Sequence, residues 1–201
     1  GRWDGRAKFF DIGGRTYINC LDKLLPIVYE AGYEVEIDDQ REHHTFEFDK
    51  IDENYLADMV WPEGHPIAGE PIVLRDYQVD AVNRFLENPH GIQEIGTGAG
   101  KTITTATLSK VVEKYGRSIV IVPNKDLVTQ TAEDYQNIGL DVGLFYGNQK
   151  DYDKQHTICT WQSILSLIKK SKNKEAEIDI DRFFEGVVCV MVDEKHSVKE
   201  D

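Results

Sequence analysis

The stretch Glu94–Thr102, EIGTGAGKT, places glycines immediately ahead of a lysine and a hydroxyl. Glycines at 96, 98 and 100 let backbone N–H groups turn toward an anion, and a helix starting near Gly100 adds the positive end of its dipole. Lys101 would then reach the outer phosphates of a nucleotide, and the Thr102 hydroxyl would ligate magnesium. Ile95 stands where the strict G-x-x-x-x-G-K-[ST] pattern has its first glycine, so a glycine-rich turn with a chance Lys-Thr is the competing reading. Further along, VVCVMVDE (187–194) is an apolar strand ending in two acids. There Asp193 can hold magnesium, and Glu194 can orient or deprotonate an attacking water. Either element alone fits an ordinary surface turn. Both, in this order, point to nucleotide-phosphate chemistry.

Such groups work only if a scaffold brings them together. From residue 72 onward the chain repeats an apolar strand, a loop and a helix, with strands expected near 91–95, 118–122, 142–146, 157–160 and 187–192. This alternation predicts an α/β fold whose parallel sheet is covered by helices on both faces. The N-terminal part reads differently. AKFFDI and RTYINC flank a Gly-Gly turn and predict a hairpin. Leu21, Leu24, Leu25 and Val28 then recur at helical spacing up to Gly32, and YEVEI (33–37) alternates as a strand. WPEGHPIAGEP (61–71), dense in proline and glycine, has linker composition. The expected organisation is a small α+β domain at 1–50, a linker at 51–71 and an α/β domain at 72–201.

Three more stretches narrow the chemistry. In LRDYQVDAV (74–82), Gln78 can bond both donor and acceptor edges of an adenine if held beside the loop; the helix would otherwise simply turn Leu74, Tyr77, Val82 and Phe85 to the core. IVIVPNKDLVTQ (119–130) gives a strand, a proline break and a helix whose start can touch a phosphate backbone, and ICTWQSI (158–164) ends a strand in Thr160, Trp161 and Gln162. Together these resemble the ordered motifs of superfamily 2 helicases and translocases. Arg75-x-Tyr77-Gln78 is similar to the adenine-reading Q motif of that family, and Gly96-Thr97-Gly98-Ala99-Gly100-Lys101-Thr102 to its motif I. Pro123 and Asn124 fall in the equivalent of motif Ia. Thr160-Trp161-Gln162-Ser163 resembles a later DNA-contacting motif, and Asp193-Glu194-Lys195-His196 the DEAH-type box, whose His196 would couple the nucleotide site to a partner domain. Lys195 departs from the usual small residue there. The resemblance implies a RecA-like fold, ATP and Mg2+ as ligands, and DNA as partner.

The first residues extend it. GRWDGRAKFFD, the hairpin, LLP and GYEVEID resemble the accessory domain of phage helicases that remodel branched DNA. On that resemblance Trp3, Arg2, Arg6 and Lys8 are candidate DNA contacts, a ring for stacking among cations; Trp3 packing the small domain's core is the alternative. Charge supports a local contact only. The net charge of −13 argues against indiscriminate nucleic-acid binding, yet residues 1–25 hold five Lys or Arg against three Asp. The three cysteines are widely spaced and suit neither a zinc site nor a disulfide framework. No apolar run approaches the roughly 20 residues of a membrane span, and no leader is visible, so a cytoplasmic location is expected.

The family's second RecA-like domain, with the arginine that completes the ATP site, has no counterpart here. The chain is therefore expected to be an N-terminal fragment that turns over slowly by itself, since such an arginine is worth about 10³ to 10⁵ in rate. A restriction-type DNA translocase subunit and a nucleotide-gated DNA-binding module without turnover remain alternatives. A small-molecule kinase would leave Gln78 and Thr160–Ser163 without a role.

Overall fold

Every residue of SIVIV (118–122) is apolar except its first, and every one is buried. A strand with no polar face must be covered on both sides, which is how the centre of a parallel sheet is made. The computed structural model describes residues 9–41, 46–96, 98–173 and 178–193, and divides the chain into two units, Gly1–Thr45 and Phe46–Asp201. In the second unit, β1 (Arg117–Val122) lies between β4 (His156–Thr160) and β5 (Val187–Val192), parallel to both. Next to β4 comes β2 (Val142–Tyr146), also parallel, and the two-residue β3 (Gln149–Lys150) closes the order β3-β2-β4-β1-β5 as an antiparallel hairpin partner of β2.

Side chains alternate across this sheet. Val120, Val122, Ile158, Cys189 and Met191 pack under α2 (Asp76–Glu87), α3 (Lys101–Val112) and α4 (Lys125–Asn137). Ile119, Ile121, Phe145 and Cys159 face the other way, against Ile164 and Leu167 of α5 (Trp161–Lys172) and Phe183 of α6 (Ile180–Phe184). On this second face Val190 and Val192 of β5 remain 43% and 58% exposed. Arg117 fastens the base of the sheet: its guanidinium donates to the carbonyls of Tyr152, Lys154, Phe183 and Glu185 and to Thr157 Oγ1. Burial pulls its pKa below the usual guanidinium value. Burial likewise pushes the thiols of Cys159 and Cys189 up, to about 12 and about 11, so both stay protonated.

Two expectations are corrected. Residues 91–96 pair with no strand: Ile92 is fully exposed, and Gln93 Nε2 instead donates to Ala81 O at 2.8 Å. The reason is composition. In extended chain Ile92 and Ile95 point to opposite faces, and Gln93 and Glu94 put one polar group on each, so neither face is apolar enough to join a sheet like β1. The stretch 51–71 is not a free tether either. Leu56 and Ile72 are fully buried with Ile51 and Leu74 against α2, and Asn83 bonds both the N–H and the C=O of Ile51, at 2.9 and 3.0 Å. Its prolines and glycines make turns within the packed strap: His65 N donates to Pro62 O, and Gly64 and Gly69 take φ of 92° and 84°.

In the first unit the expected hairpin survives as its tip. Phe10 bridges Thr16, Asp11 N donates to Arg15 O, and Gly14 turns at φ 78°. The helix α1 (Leu21–Glu30) follows, with Leu21, Leu24, Leu25 and Val28 as its less exposed stripe, and Gly32 at φ 81° ends it. Residues 33–37 form no strand; Tyr33 and Ile37 are 68% and 60% exposed, and no neighbouring strand is there to pair with them among the described residues. Among those residues no helix is long and apolar enough to cross a membrane.

A polar seam runs beneath α3. Tyr135 OH lies 2.8 Å from Ser109 Oγ, which is 2.9 Å from Ser118 Oγ; Ser118 Oγ is 2.7 Å from His156 Nδ1, and His156 Nε2 donates to Glu113 at 2.7 Å. Burial holds the His156 imidazole below its ordinary pKa despite the neighbouring Glu113 and Asp141 carboxylates. A histidine whose folded pKa is depressed resists the proton that the unfolded chain accepts near pH 6.5, about its free value. Its contribution to stability is therefore complete above that pH and lost as pH falls below it. Urea unfolding between pH 7.5 and 5.5 is expected to show falling stability, with a shallower slope in His156→Gln.

Candidate functional site

The glycine loop leads directly into α3, with Gly100 as its N-cap in the left-handed region at φ 75° and Gly98 at φ 78°. No other residue type suits Gly100. A Cβ there would stand 2.5 Å from Gln78 Nε2, besides the cost of the backbone angle. Ala99 N donates to Gly96 O at 3.2 Å, closing the loop into a turn. This is the expected geometry: a tight, glycine-permitted loop whose backbone ends at a helix N-terminus.

Lys101 and Thr102 occupy the first turn of α3. Lys101 Nζ lies 3.9 Å from Asp193 Oδ1, with the two side chains 34% and 29% exposed. Asp193 is fixed just past the end of β5 by its N–H, which donates to Ile121 O at 2.9 Å. The strand-end acid and the loop lysine, far apart in sequence, thus meet at the carboxyl edge of the sheet, where open α/β folds place their ligands. On neighbouring α4, burial lifts the Asp134 carboxyl above the ordinary range, as does the adjacent Glu133, while Thr102 works the other way.

Behind the loop stands the start of α2. Gln78 is 5% exposed and both ends of its amide are used: Oε1 accepts from Arg75 N at 2.9 Å and Nε2 donates to Ala99 O at 3.2 Å. Tyr77 OH donates to the same Ala99 carbonyl at 2.9 Å and accepts from the Arg75 guanidinium at 2.8 Å. Arg75, Tyr77 and Gln78 therefore brace the loop from behind. Sequence reasoning placed Gln78 beside the loop but did not anticipate the Tyr77 hydroxyl; as a tyrosine at a helix start it read equally well as a core residue.

Two more helix starts share this edge. Val122 and Thr160 are paired across β1 and β4, so Pro123–Asn124 and Trp161–Gln162 emerge side by side. Asn124 Oδ1 caps α4 by accepting from Leu127 N at 3.0 Å, and Thr160 Oγ1 caps α5 by accepting from Ser163 N at 3.3 Å. These two side chains are occupied by their helices, and Thr160 is buried. The surface is presented instead by Trp161, 52% exposed, with Gln162 and Pro123 nearby in the chain order. Thr97, Glu194, Lys195 and His196 lie outside the described residues, as do Arg2, Trp3, Arg6 and Lys8.

A magnesium ion fits this donor set. Magnesium is held by one or two protein oxygens, with substrate phosphates and water completing its shell. Asp193 and Thr102 supply such oxygens, and among the described residues no group of three His, Cys, Asp or Glu forms a dedicated cage.

The fold and this edge define the class: a RecA-like α/β domain with a glycine-rich loop opposite a strand-end carboxylate. Residues 71–201 match the family model described as type III restriction enzyme, res subunit, and the chain belongs to that family. It is 28% identical over 185 residues to the ATP-dependent DNA helicase uvsW of Enterobacteria phage T4, covering 85% of this chain and 35% of that protein. It is 29% identical over 126 residues to the DNA 3'-5' translocase XPB2 of Sulfurisphaera tokodaii, covering 62% and 27%. The crystal structure of the UvsW helicase from bacteriophage T4 superposes with a TM-score of 0.66 at 22% identity, over 98% of this chain and 68% of that one. The chain thus spans about a quarter to a third of the length of these two curated relatives.

Proposed function

We propose that this chain is the nucleotide-binding part of an ATP-dependent DNA helicase or translocase of superfamily 2, acting on branched DNA. The observation that carries the reading is the meeting of Lys101 and Asp193 at 3.9 Å over the N-terminus of α3. In this reading the loop backbone and Lys101 bind the β- and γ-phosphates, and Asp193 and Thr102 place the cation that neutralises charge developing on them. Glu194 orients the attacking water. Arg75 and Gln78 lie on the adenine side, where Gln78 must exchange its bond to Ala99 O for one to the base. The exposed Trp161, with Pro123, Asn124, Thr160 and Gln162, lines the DNA-facing edge, and His196 couples it to a second RecA-like domain. Arg2, Trp3, Arg6 and Lys8 contact DNA from the smaller domain at 1–50. Membership of a family named for a restriction subunit, and likeness to a named translocase, favour DNA over RNA as the track.

The test is ATP turnover by the full-length gene product with forked DNA, linear duplex or no DNA. Forked DNA is expected to stimulate most. Equal stimulation by linear duplex would point to a restriction-type translocase. Turnover indifferent to all nucleic acid, or nucleotide binding with none, would overturn the motor reading.

A further inference from the structure

A carbonyl oxygen has two lone pairs, and Ala99 O in the glycine loop gives both to side chains of α2: Tyr77 OH donates at 2.9 Å and Gln78 Nε2 at 3.2 Å. The direction of the Tyr77 proton is fixed by its other neighbour. The Arg75 guanidinium, 2.8 Å from the phenol oxygen, carries only donors, so the single phenol proton goes to Ala99. Ala99 N meanwhile donates to Gly96 O at 3.2 Å, so both polar groups of this residue are held. A trans peptide is planar, with its C=O and N–H on opposite sides. Fixing Ala99 O toward α2 therefore turns the N–H of Gly100, the N-cap of α3, away from α2, as a donor at the start of the helix.

The two clamps on Ala99 O differ in what else they must do. Gln78 has a second task in the nucleotide reading, since the amide that holds Ala99 is the one a base would draw off. Tyr77 has none; Arg75 commits its proton to the loop. We propose that Tyr77 is a positioning residue for phosphate binding: its hydroxyl keeps the Ala99 carbonyl turned back, and the loop set for phosphate, while Gln78 leaves to meet the adenine. The inference rests on the nucleotide reading above. The hydroxyl makes phosphate and base binding compatible; without it both would compete for one Gln78 amide. A tyrosine that merely packed behind the loop would support every ligand alike.

The experiment is isothermal titration of this chain with Mg-ADP and with Mg-tripolyphosphate, which carries phosphates but no base, for the wild type, Tyr77→Phe, Gln78→Ala and the double variant. Phenylalanine keeps the ring and removes only the hydroxyl; a thermal melt of each variant reads whether it is folded. Tyr77→Phe is expected to weaken Mg-ADP binding about five- to tenfold, the worth of one hydrogen bond, and to leave Mg-tripolyphosphate within about twofold. Gln78→Ala should also keep Mg-tripolyphosphate, because Tyr77 still holds Ala99. The double variant should lose about tenfold on that ligand, since neither clamp remains. An equal loss on both ligands in Tyr77→Phe, or no loss on either, would overturn the role of Tyr77 and leave the nucleotide site standing. So would a wild type that binds Mg-ADP but not Mg-tripolyphosphate, since its loop would then form only around the base. If Tyr77→Phe does not fold, Gln78→Ala decides: Mg-tripolyphosphate lost there means that Tyr77 does not hold the carbonyl unaided, and kept there means that it does. Failure of the wild type to bind either ligand would overturn the nucleotide reading, and this inference with it.

Discussion

Lys101→Ala is expected to weaken nucleotide binding about 10- to 100-fold while leaving thermal stability nearly unchanged. The first half follows from chemistry: a charged donor to phosphate contributes about 1.5–3 kcal/mol. The second follows from geometry. The only described partner of Lys101 is Asp193, at 3.9 Å, with both side chains about one third exposed, and such a pair adds little to stability. Isothermal titration with Mg-ADP beside a thermal melt reads both quantities. A melt lowered as far as the affinity would make Lys101 a structural residue; unchanged affinity would move the phosphate site elsewhere.

Leu56→Ala should be the most costly single truncation in the strap at 51–71. Leu56 is completely buried among Ile51, Ile72 and Leu74, and emptying such a site costs about 2–5 kcal/mol. A residue in a solvated tether would cost close to nothing. Urea denaturation of the chain decides between these outcomes, and a small effect would restore the linker reading. A large one has a practical meaning: any shortened version of the nucleotide-binding domain must begin before Phe46–Ile51, not at residue 72.

The contrast between β1 and the strap shows what was legible in the sequence. SIVIV could be read as a central strand because each residue carries the same message, and the glycine loop at the start of α3 could be read because glycines, lysine and threonine stand in one short run. The meeting of Lys101 with Asp193 followed once both flanked a parallel sheet. The strap was misread because proline and glycine report the local backbone, and Pro62, Gly64 and Gly69 serve tight turns as readily as loose tethers. What it packs on is settled by Asn83, Leu56 and Ile72 acting across the chain, which no local window contains. The bracing of Ala99 O by Tyr77 and Gln78 was half legible, since the motif supplied the proximity but not the bond.

The sheet order has a kinetic consequence. β1 can complete its ladders only with strands that arrive much later in the chain: Ser118 pairs with His156 of β4 and Ile119 with Val190 of β5. Among the described residues, apart from the β2–β3 hairpin, no two strands adjacent in sequence pair with each other. Loop closure must therefore be completed before the sheet returns any energy, which makes such topologies slow to fold beside helical ones. The helices can form locally, but their apolar stripes stay uncovered until β4 and β5 dock. On a ribosome, SIVIV would emerge and wait through the synthesis of α4, β2, β3, α5 and α6 for its second partner. For that interval the chain displays the buried centre of its own sheet, the kind of exposed segment that chaperones recognise.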